Sequence, residues 1–257
     1  MKHIKVIKAM SNTKLIRNCI TGVGGFVGSH LADLLLEKGE TVIGTYRWFE
    51  DLERIKHLDG KIILEPVDLL DQMSIYRCLS KHMPDYIFHL AAQSYVTESF
   101  NYPAYTVMVN CVGTLNLLEA IRELKDKEGY DPVMGLCSSS EVYGQVNEDE
   151  IPIKETQPFR PQNPYAIGKV GADMAGYVYF RNYGLKIIRT RFFTHSGPRR
   201  TMASAEVNFA QQIARIEAGL QEPIIKHGNL DSIRTFADVR DAVRAYYILV
   251  RKCKYGE

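Results

Sequence analysis

Thr21-Gly-Val-Gly-Gly-Phe-Val-Gly28 is the stretch whose reading decides the fold. It follows a β-rich apolar run, residues 15–21, and opens an amphipathic segment, residues 25–38. Gly22, Gly25 and Gly28 are spaced GxxGxxG, close to the GxGxxG of a phosphate-binding turn. In such a turn the first glycine permits the tight bend. The second lets the backbone reach a pyrophosphate, and the third lets the helix pack on the strand. Phe26 and Val27 fall in the first turn of the helix, where free amides attract an anion. A glycine turn alone is weak evidence. With a strand before it and a helix after it, dinucleotide binding is the expectation.

Outward from this loop the chain repeats the same alternation. Further strands are predicted at 40–46, 61–66, 86–91, 132–138 and 185–193, and helices at 71–82, 103–125 and 164–182. Strands that alternate with helices build βαβ units, hence an α/β fold with a doubly wound parallel (Rossmann) sheet. The strands read as near-continuous apolar runs, as they do when helices cover both faces. After Phe193 the rhythm changes. A Gly-Pro-Arg-Arg turn leads to a helix at 205–218, a short strand at 223–226 and a last helix at 238–251. The expected organisation is a Rossmann domain over 1–193 and a small, shortened C-terminal lobe over 194–257, lying over the open edge of the sheet.

Composition narrows the function. The 257 residues are 46% hydrophobic with net charge +2 and no basic block, which gives no reason to expect nucleic acid as a partner. The five cysteines show no CxxC and read as reduced thiols, with no metal site. No uninterrupted apolar run reaches the roughly 18 residues of a membrane span. The opening MKHIKVIKAM lacks a signal-peptide core, so the cytoplasm is the default location.

The end of the second strand selects the cofactor. It reads Gly44-Thr45-Tyr46-Arg47, with no carboxylate to bind ribose hydroxyls, and Arg47 lies 19 residues past Gly28. A guanidinium there suits the 2′-phosphate of NADP. A solvated arginine at a strand end is the plain alternative. Asp68, followed by Leu69, is placed to accept from the adenine amino group, or else to cap a helix.

Two further motifs carry chemistry. Tyr165-Ala-Ile-Gly-Lys169 puts a phenol and an ammonium on one helix face. A phenol of pKa about 10 is a poor base unless a neighbouring cation favours the phenolate, which Lys169 would do. Cys137-Ser-Ser-Ser-Glu-Val-Tyr-Gly144 follows the fifth strand, where such sheets keep reactive groups. Ser139 is positioned to hydrogen-bond a reacting oxygen. Glu141 fits a catalytic carboxylate and a capping or salt-bridged surface acid equally well.

At this point the residues carry a resemblance. TGVGGFVGSHL, HLAAQSYV (89–96), SSSEVYG (138–144), NPYAIGK (163–169), THSGPRR (194–200) and GNLDSIRTFADVRDAVRAYY (228–247) occur in order. From about Lys14 onward the chain resembles the extended short-chain dehydrogenase/reductases, most closely the GDP-mannose 4,6-dehydratases and their GDP-heptose-acting relatives. The resemblance implies NADP as cofactor and a GDP-sugar as substrate. Tyr165, with Ser139 and Lys169, would oxidise the sugar at C4. Glu141 would take the C5 proton and help expel the C6 hydroxyl. It also implies that Leu90, Ala91, Ala92, Gln93, Ser94 and Tyr105 lie near the nicotinamide side, with Ser94 touching substrate too. Lys169, His195 and Arg200 are implied on the cofactor, and Arg234 on the GDP phosphates. His195 and Arg200 would otherwise be solvated residues of a Gly-Pro turn.

Three departures accompany the resemblance. Family members continue past the position of Glu257 with a strand and helices that complete the nucleotide site. The Arg-rich stretch that reaches a neighbouring subunit reads Arg47-Trp-Phe-Glu-Asp-Leu-Glu-Arg54 here, which favours a homodimer over the family's tetramer. The family's Asn after the sixth strand is Thr194. The rival readings are an NADPH-dependent GDP-4-keto-6-deoxymannose reductase, a nucleotide-sugar epimerase, and an NADP-binding protein without turnover.

Overall fold

The computed structural model describes residues 15–231 and 233–257, so the opening MKHIKVIKAM lies outside the described residues. In chain order the elements are β1 Arg17–Thr21, α1 Phe26–Glu37, β2 Thr41–Tyr46, β3 Ile63–Pro66, α2 Gln72–His82, β4 Tyr86–His89, α3 Val96–Asn101, α4 Pro103–Val107, α5 Gly113–Glu128, β5 Val133–Cys137, α6 Pro164–Tyr183, β6 Lys186–Thr190, β7 Thr194–Ser196, α7 Ala205–Glu217, β8 Phe236–Asp238 and α8 Val239–Lys252. Six strands pair in parallel in the order β3-β2-β1-β4-β5-β6. This is the doubly wound Rossmann order, and its switch point falls between β1 and β4.

Alternation along each strand sends successive side chains to opposite faces. On one face Cys19, Ile43, Ile87, Met134 and Ile187 meet α2, α5 and α6 through Leu79, Leu117, Leu118, Ile121 and Ala175. On the other face Ile20, Val42, Phe88 and Ile188 meet Leu31 and Leu35 of α1. The edge strand β3 departs from the expected apolar burial, with Ile63 and Leu64 exposed.

The helix expected in the C-terminal lobe packs elsewhere. Val239, Val243, Tyr246 and Val250 of α8 form an i, i+4, i+7, i+11 stripe, and the sheet face beside α1 takes it. Tyr247 and Arg251 anchor its far end, both bonding the buried Glu40 carboxylate, at 2.9 and 2.6 Å. The strand expected at 223–226 does not form. The Gln212 side chain of α7 both donates to Lys226 O (2.8 Å) and accepts from Lys226 N (2.7 Å), taking the hydrogen bonds a ladder would use. The second sheet is instead β7 paired in parallel with β8.

Pro103–Glu128 runs as one helical stretch, with a π-helical segment, Met108–Val112, between α4 and α5. Over an 18-residue window its mean hydropathy is 1.3, enough in length and composition to cross a membrane. Leu117, Leu118, Ile121 and Leu124 are fully buried against the sheet, so this is the central helix of the core.

Candidate active site

The glycine turn is shaped by steric exclusion. Gly22 has φ +70°, and a Cβ there would sit 3.0 Å from Ala91 Cα. A Cβ on Gly28 would sit 2.5 Å from Gly22 O, inside any tolerable contact. The amides of Gly22 and Val23 both donate to Thr45 O of β2 at 3.0 Å, which fixes the loop against the neighbouring strand. Gly25 is the N-cap of α1 and offers no side chain to the first-turn amides, so they remain available to an anion.

Across the switch point, residues 90–93 are held by a hydrogen-bond chain that determines its own protonation. Thr21 Oγ1 accepts from Leu90 N (3.1 Å) and Ala91 N (3.0 Å), so its own proton points to His89 Nδ1, 2.9 Å away. Thr114 Oγ1 gives its proton to Asn110 O, so it accepts from His89 Nε2 at 3.0 Å. His89 is therefore the neutral Nε2–H tautomer. Burial, and then the charge of Lys169, push its pKa down to about 3. Asn110, in the π segment, clamps Gln93 by accepting from its amide and donating to its carbonyl.

This chain carries a pH signature. Between about 6.5 and 3 the unfolded imidazole binds a proton that the folded one refuses. Unfolding free energy should therefore fall as pH drops through that window. A His89→Gln variant should lose about 1.4 kcal/mol per pH unit of the dependence. Urea titrations at stepped pH measure it, and equal slopes for the two proteins would show that His89 is not the group responsible.

The catalytic candidates converge at the end of β5. Ser139 caps a short 3₁₀ turn, Ser140–Tyr143, its Oγ accepting from Glu141 N at 3.2 Å. Opposite, α6 begins with Asn163 as N-cap and Pro164 at its first position. Asn163 Oδ1 accepts from Ala166 N (2.8 Å) while its Nδ2 donates to the Glu141 carboxylate (3.2 Å). One side chain thus caps the helix that carries Tyr165 and holds the acid that follows Ser139. Lys169 is buried; its Nζ donates to Cys137 O at 2.7 Å and lies 5.9 Å from the Tyr165 ring centre. α6 can approach because a Cβ on Gly168 would already sit 2.9 Å from Asn110, and one on Gly171 2.5 Å from the Cys111 sulfur.

Ser139, Glu141, Tyr165 and Lys169 are therefore neighbours. The electrostatics differ from the sequence expectation in one respect. Burial pushes the Tyr165 phenol above its ordinary value, and Lys169 and Ser139 only partly offset it. Lys169 does pull in the expected direction, but desolvation outweighs it.

The remaining candidates divide. Arg47, at the end of β2, donates from Nη1 to the Tyr105 hydroxyl at 2.8 Å. That contact brings Tyr105 beside Arg47. Asp68 lines a cleft of about 420 Å³ together with Arg47. Its Oδ1 accepts from Leu70 N, and the cap of α2 is Asp71. Leu69 is buried against Gly113. Arg200 lies 5.7 Å over the Phe26 ring, beside the N-terminus of α1, and His30 donates to Pro198 O at 2.9 Å, docking that turn on α1. His195 stacks edge-on against Phe192 and Tyr246, and burial with the Arg200 charge lowers its pKa to about 4. Ser94 and Arg234 are exposed, and among the described residues no hydrogen bond joins either to the Tyr165 cluster.

The sequence reading missed Asn110, Asn163 and Asp173. Asn163 had a local signal, an Asn-Pro pair at a helix start. Asp173 did not. Fully buried two turns beyond Tyr165, it binds Arg189 at 2.7 Å and Arg191 at 2.8 Å.

This architecture and this cluster match a known family. The family model for GDP-mannose 4,6 dehydratase aligns with residues 19–256. The chain belongs to the GDP-mannose 4,6-dehydratase family. Within that family, the GDP-mannose 4,6-dehydratase of Vibrio cholerae serotype O1 is 37% identical over 245 residues, covering 91% of this chain and 64% of the relative. The chain thus spans under two thirds of that relative's length. A GDP-6-deoxy-D-mannose reductase of Pseudomonas aeruginosa is 35% identical over 238 residues, covering 93% of this chain and 70% of the relative. Among solved structures, RMD from P. aeruginosa complexed with NADPH superposes with TM-score 0.79 at 34% identity, covering 94% of this chain and 76% of the other. The UDP-glucose 4-epimerase of Thermus thermophilus with NAD gives 0.80 at 29%, covering 93% and 76%. The six-stranded Rossmann sheet of this family member is thus the short-chain dehydrogenase/reductase fold.

Proposed function

We propose that this chain dehydrates a GDP-sugar, GDP-mannose or a close relative, to a 4-keto-6-deoxy sugar, with NADP as a recycled cofactor. The residues present fit that cofactor. The turn has no room for a Cβ at Gly22 or Gly28, the first amides of α1 are uncapped, and Arg47 directly follows β2. The glycine turn, Arg47, Asp68, residues 90–93, Lys169 and Arg200 would hold it. When bound, it would supply a reversible two-electron acceptor that takes a hydride equivalent from C4 and gives it back at C6, leaving no net redox change.

The side chains supply the rest. Tyr165 takes the proton of the C4 hydroxyl, with Ser139 bonding the same oxygen and Lys169 stabilising the phenolate. A ketone at C4 acidifies the C5 proton. Glu141 removes that proton and helps the C6 hydroxyl leave as water. The observation that carries the dehydratase reading is the Asn163 bridge, which ties a carboxylate beside the phenol to the helix bearing it. Incubation of the protein with GDP-mannose should give a product lighter by one water with no net use of NADPH. The reductase reading draws on the similarity to the P. aeruginosa reductase. It requires one NADPH per turnover of a ready-made 4-ketone, and that stoichiometry in the assay would replace the dehydratase assignment.

Cofactor choice gives a separate test. Arg47→Ala should weaken NADP by about 1.5–3 kcal/mol, the value of a charge-assisted contact, and leave NAD unchanged. Calorimetric titration of both cofactors reads this directly. Equal NADP affinity in the variant would remove Arg47 from the site.

A further inference from the structure

Trp48 is the only tryptophan in the chain and is 72% exposed, and Phe49 beside it is 96% exposed. Two large aromatic side chains in succession leave much apolar surface in water, an arrangement that favours an occupant. Both line the cleft of about 420 Å³ at the C-terminal ends of β2 and β3, together with Arg47, Pro66 and Asp68. Open α/β sheets take their ligands at that edge.

The charges around the aromatic wall specify the occupant. The Arg47 guanidinium spends one hydrogen bond on the Tyr105 hydroxyl and makes no ion pair among the described residues. Most of its donors are free for an anion. Asp68 uses Oδ1 on Leu70 N, and its second oxygen is free to accept from an amino group. A cation, an aromatic face and a carboxylate acceptor in one cleft match a phosphate, a purine ring and an exocyclic amine.

We propose that Trp48 is the stacking wall for the adenine ring of a 2′-phosphorylated dinucleotide, with Phe49 extending it, Arg47 on the phosphate and Asp68 on the amine. This rests on the dinucleotide reading above and assigns the residues that grip its adenosine half. Stacking needs only a π-face, so it provides affinity, and Arg47 selects the 2′-phosphate.

Because Trp48 is the sole tryptophan, the protein's whole indole emission reports on this cleft. Titration with 2′,5′-ADP should quench it, and inorganic phosphate at the same concentration should not. By calorimetry, Trp48→Ala should bind 2′,5′-ADP about five- to 150-fold more weakly, the range of a lost base–aromatic stack. Trp48→Phe should keep most of the affinity, with both variants melting like the parent. Arg47→Ala should weaken 2′,5′-ADP and spare 5′-AMP. If the parent binds 2′,5′-ADP with unmoved fluorescence and Trp48→Ala binds it equally, the wall is wrong and the dinucleotide reading stands. If 2′,5′-ADP, NADP and NAD all fail to bind, both are wrong.

Discussion

Glu141→Gln is expected to lower formation of dehydrated product by about 10²- to 10⁴-fold, the contribution of a positioned acid/base. The amide keeps the shape of the side chain, and a carbonyl oxygen remains to accept from Asn163 Nδ2. What is lost is the basicity needed at C5. Oxidation at C4 relies on Tyr165, Ser139 and Lys169, so a single turnover on GDP-mannose should still show the absorbance of reduced cofactor rising. Tyr165→Phe should abolish that rise as well as the product. Solvent deuterium should enter C5 with the parent and not with Glu141→Gln. Dehydration at the parent rate by the Gln variant would leave Glu141 a surface acid and move the reductase reading ahead, because reduction of a ready-made ketone needs no base at C5.

Asp173→Ala should have the largest effect on stability. The carboxylate is fully buried and is the shared partner of Arg189 and Arg191. Arg191 in turn donates to the Tyr143 hydroxyl and Glu155 O, and lies over the Phe159 ring, holding the segment that carries Glu141. Removal of one member of a buried ion pair leaves the others desolvated and unpaired, at about 3–5 kcal/mol. Burial alone would push the Asp173 carboxyl up, but Arg191 and Arg189 outweigh it and hold it below the usual carboxylate range. A depressed carboxyl contributes stability above its unfolded value, near 3.9, and loses it as pH falls through the folded value. The deficit of Asp173→Ala, read by urea unfolding, should therefore be full at neutral pH and shrink below about pH 4. A variant within 1 kcal/mol of the parent at pH 7 would contradict this account.

What the sequence disclosed was whatever is local and periodic. Gly22 and Gly28 are legible because the turn admits no Cβ, and the strands because helices cover both faces and leave near-continuous apolar runs. Tyr165 and Lys169 are legible because one helical turn brings them to the same face. Partners chosen across the fold were not. Nothing near Asp173 in the chain announces Arg189 and Arg191 as its partners, and nothing near Tyr105 announces Arg47. Residues 223–226 looked like a strand, but Gln212, eleven positions before Pro223, takes the backbone bonds of Lys226. The stripe on α8 was visible as amphipathic, yet amphipathicity does not say which surface receives it, and the sheet received it. The direction of the Tyr165 shift depends on how much water the fold removes, a quantity that i, i+4 spacing does not contain.

The π segment at Met108–Val112 sets the angular phase between two halves of one rod. A wider turn accommodates a residue more than an α-turn does, and each residue of an α-helix is worth about 100° of rotation. Upstream of that offset, Tyr105 meets Arg47; within and beyond it, Asn110 and Thr114 hold Gln93 and His89. The helix works as a crank whose two throws serve different segments of the chain, the end of β2 and the stretch after β4. Deleting a single residue from 108–112 would restore an even spiral and swing Tyr105 away from Arg47 by roughly a quarter turn, while leaving the rod's length and hydropathy almost unchanged.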